Sequence, residues 1–119
     1  MSACNCGTTF KISFAPIIIE ADDIWQGFSA TIEFEFLDPA DISGDTFSAI
    51  IKDSAGDTVD TLTMGERINV DGDTLLQILI ETPVTDAAGD YTITVIWTPA
   101  STSSPQPFAY GVITVIPVP

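Results

Sequence analysis

The segment that decides the fold of this chain is Asp86-Ala-Ala-Gly-Asp-Tyr-Thr-Ile-Thr-Val-Ile-Trp97. It begins with a Gly/Asp turn and continues as a strand in which apolar residues alternate with threonines. Successive strand side chains point to opposite faces of a sheet, so Tyr91 and every second residue up to Trp97 share one face. Thr92 and Thr94 point to the other face. The pattern predicts a strand of an antiparallel sheet with one core side and one solvent side.

Other segments repeat this alternation, with turn residues between them. The clearest is 27–37, in which Phe28 and Phe36 fall on the core face while Glu33 and Glu35 face water. Strands that recur about every 8–12 residues, separated by turn signals, are typical of a sandwich. We therefore predict an all-β, immunoglobulin-like antiparallel β-sandwich of about seven strands. The remaining predicted strands are 46–53, 58–64, 68–70, 74–80, 91–97 and 108–116.

The core of this sandwich is predicted from the inward positions of the strands. Trp97 shares the face of Tyr91 and is predicted to join the core. Trp25 has two interpretations, a cap on the core or a contact with a neighbouring protein, and the core is favoured because large aromatics are mostly buried. The other predicted core residues are Phe28, Ile32, Phe34, Phe36, Ile51, Ile78, Tyr91, Ile93 and Val95, with Ile42 closing one end.

The chain divides into an extended N-terminal arm, residues 1–23, and a sandwich domain, residues 24–119. The arm alternates in Phe10-Lys-Ile-Ser-Phe14 and then carries the apolar run Pro16-Ile-Ile-Ile19. Because proline restricts the residue before it, we expect a bend at Pro16.

The charge balance excludes two classes of partner. Seventeen acidic residues against three basic ones give a formal net charge of −14. Affinity for nucleic acid depends mainly on Lys and Arg contacts to phosphates, so nucleic-acid binding is excluded, as is an electrostatic hold on anionic membranes. The first six residues lack the basic and apolar regions of a signal peptide, and the apolar stretch 15–19 is too short to span a bilayer. We expect synthesis in a host cytoplasm.

The sequence offers no constellation for catalysis. It contains no His, which removes the usual general base and metal ligand. Glu33 and Glu35 are close, but they share one strand face and do not oppose each other across a cleft, as glycoside hydrolysis requires. Cys4 and Cys6 cannot complete a zinc site within one chain and are interpreted as ordinary thiols. We predict no enzymatic activity, no catalytic residue and no cofactor.

Three acidic loops could offer oxygen ligands to calcium. None matches the EF-hand pattern, and an Asp in a turn commonly bonds its own backbone. We therefore predict no metal site and keep a calcium- or carbohydrate-binding module as the weaker alternative. The loops contain Asp22-Asp23, then Asp38 with Asp41 and Asp45, and then Asp71-Gly-Asp73.

A series of short motifs follows Trp25 in a fixed order. They are Gln26-Gly27 before an aromatic strand, Asp41-Ile-Ser-Gly44, Ala49-Ile-Ile-Lys-Asp53, Ala55-Gly56, Gly89-Asp-Tyr91 and Tyr110-Gly-Val-Ile-Thr-Val115. In this order the chain resembles a small immunoglobulin-like domain of tailed bacteriophages, similar to the N-terminal module of phage upper baseplate proteins. Tyr91 takes the place of the tyrosine corner of such folds. Ile93 stands where their Cys would be, so no inter-sheet disulfide is expected.

The resemblance implies a structural virion protein. The family module usually continues into a coiled coil or a receptor-binding part, whereas this sequence ends at Pro119. A stand-alone module looks more like a capsid decoration, or cement, protein on the outer surface of the head, with the major capsid protein as its partner. The alternative is a small neck, tail or baseplate accessory subunit. Homo-oligomers fit either role.

The predicted partner-binding residues lie in the arm and next to it. A strand with alternating apolar residues can add to the edge of a neighbour's sheet and gain main-chain hydrogen bonds. The residues are Phe10, Ile12, Phe14, Ile17, Ile18, Ile19 and Trp25.

Overall fold

A computed structural model of the protein describes residues 7–12, 17–20, 23–36, 42–100 and 104–118. Ten strands and one 3₁₀ turn, Val84–Asp86, lie within these ranges, and the predicted all-β class is confirmed. The strands are β1 (Gly7–Ile12), β2 (Ile17–Glu20), β3 (Ile24–Trp25), β4 (Ala30–Phe36), β5 (Thr46–Lys52), β6 (Thr58–Leu62), β7 (Ile68–Asp71), β8 (Leu75–Ile80), β9 (Gly89–Thr98) and β10 (Gln106–Ile116).

The strands form two sheets that pack as a β-sandwich. One sheet has four strands in the order β1-β4-β8-β7, and the other has six, in the order β2-β10-β9-β5-β6 with β3 also beside β10. An immunoglobulin sandwich orders its strands A-B-E-D in one sheet and C-F-G in the other. Here β1, β4, β8 and β7 take the places of A, B, E and D, and β5, β9 and β10 take those of C, F and G. The predicted sandwich is therefore confirmed.

The first three strands depart from the predicted antiparallel pattern. β1 runs parallel to β4, and β2 and β3 run parallel to β10. The pairs formed among β4 to β10 are antiparallel, as expected. β2 and β3 both lie along β10, with Ile17 opposite Ala109 and Trp25 opposite Ile116. The predicted arm thus supplies an edge strand to each sheet.

An aromatic cluster occupies the centre of the core. Phe36 stacks on Phe108 with ring centroids 5.3 Å apart, and Phe34 meets Phe108 edge-on at 5.6 Å. Aromatic pairs at such distances contribute about 0.5–1.5 kcal/mol beyond the burial of their area. Trp97 is half-buried against this core, and Ile42 is fully buried, as predicted for both.

Phe28 is the predicted core residue that the structure places outside the core. The others in the predicted set are buried, whereas Phe28 is 45% exposed. The prediction was wrong because β4 begins at Ala30 and not at Gly27. Gly27, with a φ of 85°, forms a turn in which the Phe28 N–H donates to the Trp25 carbonyl oxygen at 3.0 Å. Phe28 therefore precedes the sheet, and strand alternation does not apply to it.

Tyr91 forms the tyrosine corner that the sequence predicts. Its hydroxyl donates to the carbonyl oxygen of Ala87 at 2.6 Å, across the turn that leads into β9. Burial raises the pKa of the Tyr91 hydroxyl above its ordinary value of 10.0, and the carboxylates of Asp53 and Asp86 raise it further. The fold thus favours the protonated hydroxyl, which is the form that can donate.

Gly111 allows β2 to approach β10 closely. It lies opposite Ile19, and a Cβ at position 111 would collide with the Ile19 carbonyl oxygen and lie 2.6 Å from the Ile19 Cβ. Ile19 is only 2% exposed and belongs to the core. The missing side chain at Gly111 therefore lets the N-terminal segment enter the core.

We expect Gly111→Ala to lower the free energy of unfolding by about 1–3 kcal/mol, because the added methyl group must displace the Ile19 backbone. Urea unfolding followed by tryptophan fluorescence measures the change. Gly44→Ala is the matched control, since a Cβ there meets the Ala100 Cβ at an ordinary 3.8 Å. Equal stability of the two variants would contradict the docking of β2 on β10 at Gly111.

We expect Tyr91→Phe to lower the free energy of unfolding by about 0.5–1.5 kcal/mol at neutral pH, because it removes the hydrogen bond to Ala87. The raised pKa adds a pH dependence, since the folded protein holds the hydroxyl proton more tightly than the unfolded chain does. This stability is present below the unfolded pKa of 10.0 and is lost as the pH rises through the folded pKa. Urea unfolding from neutral pH to about pH 11 should show the wild type losing its advantage over the variant. A constant difference would contradict this linkage.

Candidate partner-binding surfaces

On the outer face of the six-stranded sheet, three rows of side chains cross the strands from β10 to β6. The sheet continues past these rows to β2, where Ile18 and Glu20 lie opposite Tyr110 and Val112, and along β9 and β10 to the pair Asp90 and Thr114. The middle row crosses β10, β9, β5 and β6, and a shorter row flanks it on either side. We call these ten positions the open face. They are Tyr110, Thr94, Ile50 and Thr61 in the middle row, Val112, Thr92 and Lys52 in one flanking row, and Pro107, Ile96 and Ser48 in the other.

The open face carries no carboxylate. Lys52 is its one charged residue, although the chain has 17 acidic residues. Along β9 the first acid beyond the face is Asp90, which accepts a hydrogen bond from the Thr114 hydroxyl at 2.9 Å. Protein interfaces are depleted of charged residues at their centres, and Tyr is enriched there. The composition of the open face is therefore that of an interface centre.

The open face has a projection next to a hollow. Tyr110 is 59% exposed and stands out from β10. Beside it lies a hollow of about 360 Å³, lined by Thr94, Pro107, Phe108 and Ala109 together with Tyr110 itself. The hollow coincides with a register shift in β10 between Pro107 and Ala109. The open face thus has both a defined shape and no carboxylate.

The outer face of the four-stranded sheet has a different character. The Asn69 amide donates to the Gln77 side-chain oxygen at 3.1 Å, and the Gln77 amide donates to a Glu33 carboxylate oxygen at 2.8 Å. These side chains form a polar row across β7, β8 and β4. A face whose polar groups already bond one another is a solvated surface, so the open face is the better candidate for a partner.

Arg67, in a polar groove on this side of the molecule, is used internally. Its Nη2 lies 3.0 Å from the Asp60 Oδ2, as an ion pair that lacks hydrogen-bond alignment. Its Nε donates to the Leu79 carbonyl oxygen at 3.2 Å and lies 3.4 Å from a Glu81 carboxylate oxygen. Arg67 therefore links β6 of one sheet to the end of β8 in the other. The groove, of about 260 Å³, is lined by Thr31, Glu66, Arg67, Asn69, Gln77 and Leu79.

The acidic loops that could have held calcium include one Asp with a clear structural role. Asp45 accepts hydrogen bonds from the Trp97 indole and from the Ala100 N–H, each at 2.8 Å. Within the described part of the chain, no group of three His, Cys, Asp or Glu side chains is arranged to hold a metal ion. Asp22, Asp38 and Asp41 lie outside the described residues, as do Cys4 and Cys6.

For the predicted partner-binding residues of the arm, the structure gives the strand in which each one lies. Phe10 and Ile12 lie in β1, and Ile17 and Ile18 lie in β2. Phe14 lies outside the described residues. β1 is the edge strand of the four-stranded sheet, and β2 is the edge strand of the six-stranded sheet. We call these two strands the N-terminal edge of the sandwich.

Ile19 and Trp25 differ from the other predicted partner-binding residues. Ile19 is buried in the core of this chain, opposite Gly111, so it is not available to a partner in this fold. Trp25 is half-buried in β3, opposite Ile116. Unlike Trp97, it is not among the partly buried residues that pack against the described core, so part of the side chain remains open to solvent.

The open face was not among the predicted sites. Its sequence signal is the lack of charge at outward positions of β9 and β10, where Thr92, Thr94 and Ile96 alternate with buried residues. Outward positions in an acidic chain are expected to include acids, so their absence from Thr92 to Ile96 of β9 and from Pro107 to Val112 of β10 could have indicated the surface. The adjacency of β9 and β5, which completes the face, follows only from the fold.

Comparison with known proteins supports the β-sandwich fold alone. Neither a protein-family model nor a curated protein sequence matches the chain. Among solved structures, the chain is similar to CopC from Methylosinus trichosporium OB3b, at 17% sequence identity and a TM-score of 0.51. The match covers 87% of this chain and 95% of that one. Separately, no helix in the described ranges has the length and apolar character of a membrane span.

We expect Arg67→Ala to lower the free energy of unfolding by about 2–3 kcal/mol, because it leaves the half-buried Asp60 carboxylate without its ion-pair partner. Urea unfolding measures the loss. Lys52→Ala, which also removes one positive charge but at an exposed position, should change stability by less than about 0.5 kcal/mol. Similar losses in both variants would contradict the role of Arg67 as a link between the sheets.

Proposed function

We propose that the protein is a non-enzymatic structural protein of a tailed-bacteriophage virion that binds the outer surface of the head as a decoration protein. The observation that carries the proposal is the position of the N-terminal strands. β1 ends the four-stranded sheet and β2 ends the six-stranded sheet. Only residues 13–16 separate them in the chain, so one side of the sandwich presents two neighbouring strand edges.

Such an edge is suited to strand addition by a partner. An edge strand offers unpaired N–H and C=O groups along its outer side, and an extended segment of another protein can bond to them. The major capsid protein is the proposed source of that segment. The apolar residues at this edge would add burial to the main-chain bonds, at about 25 cal/mol per Å². They are Phe10, Ile12, Ile17 and Ile18, with Trp25 in the adjoining strand β3.

The charge of the protein supports a position outside the head. A net charge of −14 repels the phosphates of packaged DNA, so an acidic protein is better placed on the exterior. The virion setting itself rests on the motifs between Gln26 and Val115 that resemble phage immunoglobulin-like modules. These two arguments are independent of each other.

A small neck, tail or baseplate accessory subunit is the second candidate. The observation in its favour is that the sandwich also has edges on the opposite side, where β7 ends one sheet and β6 ends the other. Addition of the N-terminal edge of one copy to this opposite edge of the next would be a head-to-tail contact. Such contacts close into rings when the rotation between subunits permits.

Co-sedimentation of the purified protein with empty capsids tests the proposal. We expect saturable binding, which Ile18→Asp should weaken at least about tenfold by placing a charge in the edge strand. Asn69→Asp adds the same charge on the outer face of the four-stranded sheet and should bind normally. Absence of binding together with a discrete ring in light scattering would favour the neck or tail role. A monomer that binds no capsid and forms no ring would contradict both.

A further inference from the structure

We infer that the open face is an interface between two copies of this chain, which pair face to face as an isologous dimer. This inference concerns the outer face of the sheet, which adjoins the N-terminal edge where Ile18 lies opposite Tyr110, and it does not depend on the virion role. It rests on three properties of the open face: its size, its lack of carboxylates, and the projection of Tyr110 beside a hollow.

The size of the open face is sufficient for a weak dimer. Four strands about 4.8 Å apart and three rows about 7 Å apart span roughly 19 by 20 Å, or about 400 Å² in projection. The largest apolar patch on a typical monomer measures about 300–600 Å² and is often functional. Two such faces together give about 800 Å², below the roughly 1,200–2,000 Å² of stable interfaces and in the range of weak, transient contacts, so we expect a dissociation constant no tighter than the micromolar range.

The charge distribution selects a second copy as the occupant. A surface adapted to a basic partner would place some of the 17 acidic residues where they attract it, since charge complementarity steers association. The open face has none of them. Two copies of an acidic protein repel each other, and contact through the open faces keeps the acidic positions Glu20 and Asp90 at the rim and out of the centre of the interface. Lys52, at one corner, can keep its ammonium group in water while its stem is covered.

The shape of the open face, with a projection beside a hollow, suits a two-fold interface. In an isologous contact the same patch serves both subunits, so a projection on one must find a hollow on the other, and the reverse. Tyr110 and the hollow lined by Thr94 and Pro107 lie side by side on each copy. Rotation by a two-fold axis between them would bring each Tyr110 ring into the hollow of the other copy. Tyrosines in such central positions commonly dominate binding energy.

The dimer has a salt dependence that distinguishes it from a charge-driven complex. The net charges of −14 repel, while the contact itself is uncharged apart from Lys52. Salt shortens the Debye length from about 30 Å at 0.01 M to about 8 Å at 0.15 M and so screens the repulsion. Dimerisation should therefore strengthen as salt is added, whereas an attractive ion-pair interface would weaken.

Sedimentation equilibrium tests the inference, with protein up to about millimolar concentration at low and at physiological salt. We expect a monomer–dimer equilibrium that tightens with salt. Tyr110→Lys should raise the dissociation constant about thirtyfold, as for an interface hot spot. Val112→Lys, at a 48% exposed position in the neighbouring row, is a second variant with the same expected direction. Phe28→Lys is the matched control, because it also converts an exposed aromatic residue but lies outside the open face.

A protein that stays monomeric at millimolar concentration in both salts would overturn the inference. So would a dimer that Tyr110→Lys and Val112→Lys leave unchanged, or one that salt weakens. Capsid co-sedimentation tests the decoration role and not the dimer. A monomer that binds capsids would overturn the dimer and support the decoration role. A dimer that binds no capsid would support the dimer and contradict the decoration role.

Discussion

The packing of the two inner sheet faces around the Phe36–Phe108 ring pair is the constraint on which the other features depend. Phe108 and Ala109 are both buried, because β10 shifts its register between Pro107 and Ala109. Such an irregularity re-aims the side chains that follow it. With Phe108 held in the core, the shift turns Tyr110 outward and places Gly111 on the inner side. The exposed Tyr110 of the open face and the close approach of β2 both follow from this geometry.

The sandwich that results presents surfaces of three kinds. One outer face carries a row of mutually bonded polar side chains from Asn69 to Glu33, and Arg67 nearby ties the two sheets together. The opposite outer face has the ten carboxylate-free positions of the open face at its centre, bordered by Glu20 of β2 and Asp90 of β9. A third side consists of strand edges, formed by the N-terminal segment. An open face without carboxylates and a side made of strand edges are both features suited to contact with proteins, which is the common basis of the decoration and dimer proposals.

Local patterning predicts part of this structure and cannot predict the rest. Alternation in β4, β8 and β9 predicted the buried positions of Ile32, Ile78 and Ile93, and the Gly-x-Tyr turn predicted the tyrosine corner. Phe28 was misplaced because the turn at Gly27 interrupts an alternating pattern that looks continuous in sequence. The parallel pairing of β1 with β4 and of β2 with β10 joins segments far apart in the chain, so no local signal reports it. The open face needs the same long-range information, since β5, β9 and β10 become neighbours only in the folded sheet.

The central claim is that the open face, the carboxylate-free centre of the outer face of the six-stranded sheet, is an interaction surface and not an ordinary solvated one. Amide chemical shifts recorded by NMR at low and at high protein concentration test it most directly, residue by residue. The account predicts that shift changes cluster at Ile50, Thr94 and Tyr110 and leave Asn69 and Gln77 unmoved. Shift changes that are absent, or that centre on the polar row of the other sheet, would contradict it.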